Sequence, residues 1–527
     1  MTQEHPQGSA ASASFIIVMT AVMASLLEII DTSIVNVAIP HMQGNLGVTI
    51  QEITWVSTGY IISNAVVLPI AAWLAAKIGR KKYYTACILL FTLTSVLCGI
   101  APNFYFLVFA RVLQGIAGGA LLPTSQSIIQ EQFPGEKSGI GSAIYGVSVM
   151  VGPAIGPTLG GYLTDNYDWR AIFFINLPVG LVATALSYFY IDDLHSRQSE
   201  EAKSERIDWM GFTLLIIGIG GLQYALERGQ AEDWFSSMAI LAAAVLAGLA
   251  IPIFYAWEYH QKHPIVDVRL FRESSVRGGS LLMALTGMIL YAVIFLIPIY
   301  TDIALGMDAT HTGYLYIPGS LATMATMPFV GRFLAKYGPK PFIAFGVLMV
   351  LISLHQLSTF TPQAGAGDIV RAFIVRGVGL GCIFVPINAM VLGQFKGEQL
   401  GQVAGLLNLS RQIGGSIGIA AMSTYLDRFS AQYRNDLRAH VTTASTTAWK
   451  HLNQAQGSLD NALSGAVGLD AGSLGGLRSL MGQMEQQVFQ LSFNRLMFIL
   501  LVAYAISYIP LFTLKMKQKV TGPVMME

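Results

Sequence analysis

The sequence predicts an all-α polytopic membrane protein, and three observations support this prediction. The 527 residues are 53% hydrophobic but only 12% charged, whereas soluble domains carry about 25% charged residues. Apolar runs long enough to cross a bilayer as helices recur along most of the chain. Two related stretches, AAWLAAKIGRKK at Ala71–Lys82 and GRFLAKYGPK at Gly331–Lys340, indicate an internal repeat, which is typical of transporters.

Fourteen apolar runs are candidate transmembrane helices. We place them at 15–39, 53–76, 83–101, 105–130, 138–162, 171–191, 207–227, 236–257, 278–300, 313–335, 341–359, 369–393, 402–425 and 491–514. If each related stretch joins the second and third helices of a six-helix half, two helices form an extra pair between the halves. The resulting segments are an N-terminus 1–14, an N-terminal half 15–191, the extra pair 207–257, a C-terminal half 278–514 with an outer loop 426–490, and a tail 515–527.

The distribution of basic residues predicts the orientation of the chain. Loops on one side carry clusters such as Arg80–Lys82, whereas the short loops on the other side hold little beyond Arg170 and Arg228. The positive-inside rule therefore places both termini in the cytoplasm. The first apolar run continues without a clear cleavage site, so we expect a spanning helix and not a signal peptide.

The first span, which contains LLEIIDTSIVNVAIP, carries two acids inside an apolar run. Glu28 and Asp31 lie three residues apart and share one face of a helix. Counting back from Pro40, Asp31 lies about 12 Å deep, and Glu28 lies deeper. The alternative is that both acids reach the interface, but carboxylate side chains are too short to do so easily. Buried acids at this depth are typical of proton or cation sites.

Polar residues in other apolar spans are candidates for the same machinery. Arg111, in RVLQG, lies about 10 Å below the outer surface, near the depth of Asp31, so we expect it to have a carboxylate partner. The further candidates for a substrate or water path are Gln114, Arg376, Asn408 and Arg411.

The fifth span, with GPAIGPTLGG, is a candidate for a conformational hinge. Its glycines recur at four-residue intervals and form a flat face for close helix contact, and its prolines weaken the backbone hydrogen bonds. Plain helix packing is the alternative to a bend or a moving contact. The hinge candidates are Gly152, Pro153, Gly156, Pro157, Gly160 and Gly161.

Six stretches together carry a family resemblance: DTSIVNVAIP, LAAKIGRKK, RVLQG, GPAIGPTLGG, WRAIFFINLPVG and LLNLSRQIGGSIG. In this order they resemble the drug:proton antiporters of the major facilitator superfamily, in the fourteen-span class, and most closely the EmrB-type multidrug exporters. The segment Ile207–Ser237 is particularly similar to those exporters. The resemblance implies a major facilitator fold of two six-helix halves plus the extra pair.

The resemblance also implies a function and partners. We expect a proton-driven efflux transporter for lipophilic aromatic compounds, with proton coupling by Asp31, Glu28 and Arg111. EmrB-type exporters imply work in a bacterial inner membrane, beside a periplasmic adaptor like EmrA and an outer-membrane channel. The matching loop, with Gly79, Arg80 and Lys81, is then a cytoplasmic gate, although it has Ala76 where the family motif has an acid.

The loop 431–490 offers separate support for an adaptor. It is long and polar, with flanks that look helical at Arg428–His440 and Gly475–Gln490, and long loops are usually functional or disordered. We expect it to contact the adaptor; the alternative is a solvated linker.

Several function classes fit the sequence less well. The absence of a Walker motif from the sequence favours the proton gradient over ATP and a cofactor, and no basic stripe indicates nucleic acid. The sequence shows neither metal-ligand spacing nor the clustered His, Cys and acid site that a membrane-embedded enzyme would need. A transporter of a specific metabolite or of fatty acids remains an alternative.

Overall fold

The computed structural model describes residues 7–192, 208–307, 309–361, 364–440 and 471–509, and within them every regular element is helical. The α-helices are α1 Gln7–Leu46, α2 Ile50–Ile53, α3 Trp55–Val67, α4 Ala71–Ile78, α5 Arg80–Gly99, α6 Phe104–Gly118, α7 Leu121–Gln132, α8 Ser138–Asn166, α9 Ala171–Phe174, α10 Asn176–Tyr190, α11 Trp209–Leu215, α12 Gly221–Arg228, α13 Met238–His260, α14 Ser274–Leu305, α15 Ala309–Tyr337, α16 Pro339–Ser358, α17 Ala366–Leu392, α18 Gly397–His440 and α19 Ala471–Ala505. Short 3₁₀ turns lie at Gly135–Lys137, Trp234–Ser236 and Val268–Arg272, and π-helical residues Ile216–Gly220 join α11 to α12.

The described residues contain 10 helices that are long and apolar enough to cross a membrane, or 11 when one bent pair is counted as a span. Three other expected spans coincide with α8, α15 and α18, which fall outside that count. The all-helical membrane fold is therefore confirmed, whereas the number of fourteen stays a prediction. Helix α1 also extends into the predicted N-terminal segment, since it begins at Gln7.

Four of the expected spans are interrupted, which the apolar pattern did not predict, and the sixth is one of them, because α9 ends at Phe174 and α10 begins at Asn176. The second span is bent by 61° between α3 and α4, next to Pro69. The fourth span breaks between Gly118, where α6 ends, and Leu121, where α7 begins. The π-helical turn interrupts the first helix of the extra pair. Such breaks free backbone groups at membrane depth, and these groups need partners.

The internal repeat is visible in the packing of the helices. In the N-terminal part, α1 packs on α8, α3 on α6, and α5 on both α6 and α10. The C-terminal part repeats these pairs as α14 on α18, α15 on α17, and α16 on both α17 and α19. Equivalent helices therefore make equivalent contacts in two successive bundles, as a duplicated transporter half requires.

The two bundles meet through small residues. Helix α8 packs on α15, where a Cβ added to Gly139 would lie 2.6 Å from the Gly331 carbonyl oxygen. Helix α4 packs on α18, where Gly401 faces Ala72 and Gly405 faces the backbone before α4. The extra helices α11 to α13 pack on one another, and α12 also contacts α3 and α18 at the edge of this interface.

The glycine face of the fifth span packs against the first span. Helix α8 is continuous through its prolines, and Gly152, Gly156 and Gly160 lie against Ile29, Ser33 and Ile34 of α1 respectively. Gly161 instead faces Thr310 of α15. The described contacts therefore account for the glycines by close packing, and the hinge stays a prediction.

The helices that flank the long outer loop project well beyond a membrane. Helix α18 has 44 residues and α19 has 35, whereas about 20 residues cross the hydrocarbon core. Arg434 donates two hydrogen bonds of 2.8 and 2.7 Å to Glu485 and so ties the two extensions together. The helical flanks are thus confirmed, and residues 441–470 between them lie outside the described residues.

We predict that Gly152→Leu destabilises the protein, by about 1–3 kcal/mol or more, because an added Cβ already overlaps Ile29. Gly248→Leu in α13 is the matched control, since nothing lies within 4 Å of a Cβ at that position. The measurement is the melting temperature of each purified variant in detergent, compared between the two variants. Equal melting temperatures would contradict the packing role of the glycine face.

Candidate functional site

The first span places Asp31 at the centre of a sealed polar cluster. The residue is fully buried (0% exposed), and its carboxylate accepts three hydrogen bonds. Arg111 Nη1 lies 2.5 Å from Oδ2, and Gln114 Nε2 and Asn176 Nδ2 each lie 2.9 Å from Oδ1. The carboxylate therefore joins α1 to α6 and α10. The sequence predicts a carboxylate partner for Arg111, and that partner is Asp31.

The guanidinium of Arg111 is held from several sides. The residue is 1% exposed, and its Nε donates to the Val56 carbonyl at 3.1 Å. Its Nη1 also donates to Gln114 Oε1 at 2.8 Å, and the group lies 4.3 Å from the Tyr60 ring centroid. Helix α3 thus supplies a carbonyl and an aromatic face that contact the guanidinium of Arg111, and Asp31 of α1 neutralises its charge. A buried charge with this many partners is stable as a pair and costly when either partner is removed.

Neutral side chains that the sequence prediction missed complete the cluster. Asn176 also donates to Ser95 Oγ at 3.0 Å, and Ser95 donates to the Phe173 carbonyl at 2.8 Å. Asn176 is the one amide in the stretch WRAIFFINLPVG, and an amide inside an apolar run is the signal that could have identified it. Its two contacts fix α10 and α5 around Asp31.

Glu28 is buried on the same helix but has different partners. Asn64 Nδ2 donates to Oε1 at 2.8 Å, and the backbone N–H of Leu122 donates to Oε2 at 3.2 Å. Leu122 is in the first turn of α7, where the break in the fourth span leaves N–H groups free. The Glu28 carboxyl group therefore accepts a hydrogen bond from the first turn of α7. The two acids share one helix but occupy separate polar environments.

The candidates in the C-terminal bundle fall into two groups. Asn408 belongs to a network across the bundle interface: it donates to Gln126 Oε1 at 2.7 Å and accepts from Tyr145 at 3.1 Å. Gln126 in turn donates to Asn388 at 2.7 Å, and Arg411 lies 3.3 Å from Asn408. Arg376 lies apart from this network, on α17, where its guanidinium stacks 4.3 Å from the Phe373 ring.

The matching loop is built around a required glycine and an ion pair. Gly79, between α4 and α5, has φ +98°, a conformation that L-residues with a side chain rarely adopt. Arg80 Nη1 lies 2.5 Å from Glu131 Oε2 at the end of α7, and Lys81 lies over the Tyr188 ring. Glu131 therefore ties the loop to the fourth span, although Ala76 itself supplies no acid there.

The charges of Asp31 and Arg111 balance only while Asp31 is ionised. Protonation of Asp31 would remove the negative charge that neutralises Arg111, and the helices joined by that pair would lose their common contact. Among the described residues, no group of three or more His, Cys, Asp or Glu side chains gathers as a metal site would.

Comparison with known proteins agrees with this architecture. The profile of the Major Facilitator Superfamily matches residues 21–419. The multidrug export protein EmrB of Escherichia coli is 33% identical over 447 residues, which cover 84% of this chain and 86% of that protein. The fatty acid resistance protein FarB of Neisseria gonorrhoeae is 32% identical over 448 residues, 84% of this chain and 87% of that protein.

Two solved structures share the fold. The human organic anion transporter MFSD10 (TETRAN) has a TM-score of 0.61 at 11% identity and covers 95% of this chain and 99% of its own. The proton:xylose symporter XylE has a TM-score of 0.58 at 14% identity, and the match covers 81% of this chain and 91% of the XylE chain. The chain therefore belongs to the Major Facilitator Superfamily and is a membrane transporter, not an enzyme.

Proposed function

We propose that this transporter is a proton-driven multidrug exporter. The observation that supports this best is the buried pair of Asp31 and Arg111, shared by helices of one bundle in a chain similar to multidrug export proteins. Protons that enter from outside would neutralise Asp31, release Arg111 and bias the two bundles between outward and inward openings. Glu28 would contribute through its hydrogen bond to the first turn of α7.

The proposal includes a topology. Fourteen spans result when α8, α15 and α18 are added to the eleven apolar candidates, and both termini then lie in the cytoplasm of a bacterial inner membrane. The six-helix halves 15–191 and 278–514 are separated by the extra pair 207–257. The glycine face of the fifth span, which packs on the first span, is the candidate conformational hinge.

The substrates would be lipophilic and aromatic compounds. The amide network of Gln126, Asn388 and Asn408 lies where the bundles meet, and Arg411 lies beside it. In transporters built from repeated halves, this interface is the expected place for a substrate. The name of the relative FarB favours fatty acids as a second substrate class.

The long outer loop would bind a periplasmic adaptor and connect this protein to an outer-membrane channel. The projecting ends of α18 and α19, tied by Arg434 and Glu485, offer a rigid base for such a contact. The loop 431–490 would supply the rest of the surface.

We expect Asp31→Asn to abolish proton-coupled efflux, and Glu28→Gln to weaken it, while both proteins still fold. Asparagine keeps the shape of the aspartate side chain but cannot exchange a proton. The measurement is drug-induced proton release from the purified protein, with the exposed Asp302→Asn as control. Unchanged proton release in Asp31→Asn would refute the assignment.

Arg111→Ala should destabilise the protein by about 3–5 kcal/mol, because it leaves the carboxylate of Asp31 buried without its cation. Arg111→Lys should be milder, and the double variant Asp31→Asn with Arg111→Gln should recover stability, since no buried charge remains. Thermal unfolding in detergent measures all three proteins. A double variant that is less stable than Arg111→Ala would contradict the pairing.

Deletion of Ser445–Gly476 should abolish adaptor co-purification and drug resistance in cells. The same deletion should spare proton-driven dye uptake into inverted vesicles, because the transmembrane machinery is untouched. Substitution of the same stretch by an equally long Gly/Ser linker is the control for loop length. If the adaptor still co-purifies after the deletion, the loop does not bind it and is a solvated linker.

A further inference from the structure

The internal repeat places a second arginine, Arg376, on the helix of the C-terminal bundle that corresponds to the helix of Arg111. Helix α6, which carries Arg111, packs on α3, and α17, which carries Arg376, packs on α15 in the equivalent pair. The aromatic neighbours repeat as well. Tyr60 of α3 faces Arg111, and Tyr316 of α15 lies 5.0 Å from Phe373, on which Arg376 stacks.

The carboxylate does not repeat. Helix α14, the counterpart of α1, has no acid between Ser274 and Thr301, and its one acid, Asp302, is exposed at the outer end. Helix α15 contains no acid at all. The nearest acid on α17 itself is Asp368, two turns away, and it pairs with Arg371 at 3.6 Å.

Arg376 is therefore a buried cation without a counter-charge among the described residues. Its side chain is 6% exposed, and Nη1 is buried with no hydrogen-bond partner. By contrast, Arg111 at 1% exposure has a carboxylate, an amide and a backbone carbonyl. An unpaired guanidinium in a low-dielectric site is costly, and an anion from outside the chain would lower that cost.

We propose that Arg376 is the anchor of an anion subsite in the C-terminal bundle, formed with the aromatic side chains of Phe373 and Tyr316. The group that binds there is a carboxylate or a similar anion, and the rings suit an aromatic or lipophilic body. The role of this subsite in export rests on the proposed function. Its existence as a binding site does not, because binding needs no proton gradient.

The test compares 2-naphthoate with its uncharged amide, 2-naphthamide, on purified protein in detergent. Wild type should bind the naphthoate about tenfold more tightly than the amide, since a charge-assisted hydrogen bond contributes that much. Arg376→Gln should bind both compounds equally, and Arg376→Lys should keep part of the preference. Arg371→Gln, on the same helix but 78% exposed, is the matched control and should behave as wild type.

A second arm distinguishes the source of the anion. If wild type binds radiolabelled chloride and Arg376→Gln does not, while naphthoate and naphthamide bind equally, the subsite holds a free inorganic ion. The proposal is overturned if wild type and Arg376→Gln bind naphthoate, naphthamide and chloride alike.

Thermal stability distinguishes a ligand-binding arginine from an arginine with a structural role only. Without any ligand, Arg376→Gln should melt at the same temperature as wild type or higher, because it removes a buried unpaired charge. A large loss of stability in Arg376→Gln and in Arg376→Lys would mean that the guanidinium is a structural contact, and would overturn the proposal. If vesicles with the wild-type protein show no proton-dependent efflux, the proposed function is refuted, and these binding results are unaffected.

Discussion

The ion pair between Asp31 and Arg111 is the constraint on which the N-terminal bundle depends. Two charges at membrane depth are tolerated because each satisfies the other, and because Gln114, Asn176 and a carbonyl of α3 take up the remaining hydrogen-bonding capacity. Any event that changes the charge of one partner therefore alters the contacts of every helix in that network. The proposed function uses the pair as the physical link between a proton and a change in helix packing.

The two bundles use a similar scaffold with different electrostatics. Equivalent helices pack in equivalent pairs, and both bundles keep a buried arginine near a tyrosine. Among the described residues, Arg111 has an acidic partner within its bundle, whereas Arg376 has none.

Sequence reasoning identified the charges well and their neutral partners poorly. Asp31 and Arg111 were predictable because ionised groups in apolar helices are costly enough to demand a partner at similar depth. Asn176, Asn64 and Ser95 were missed because neutral amides and hydroxyls cost less, and their partners are distant in sequence. The breaks in the second and fourth spans were missed since hydropathy does not register a bend. The ion pair of Arg80 with Glu131 was missed because it joins the start of α5 to the end of α7, which are distant in sequence.

The central claim is that proton movement and export share the buried carboxylate of Asp31. Its most direct test is simultaneous recording of internal pH and substrate flux in proteoliposomes that contain only this protein, starting from a substrate gradient without a pH gradient. Wild type should move protons against the direction of substrate flow, and Asp31→Asn should move none. Counterflow of protons that persists in Asp31→Asn would contradict the account.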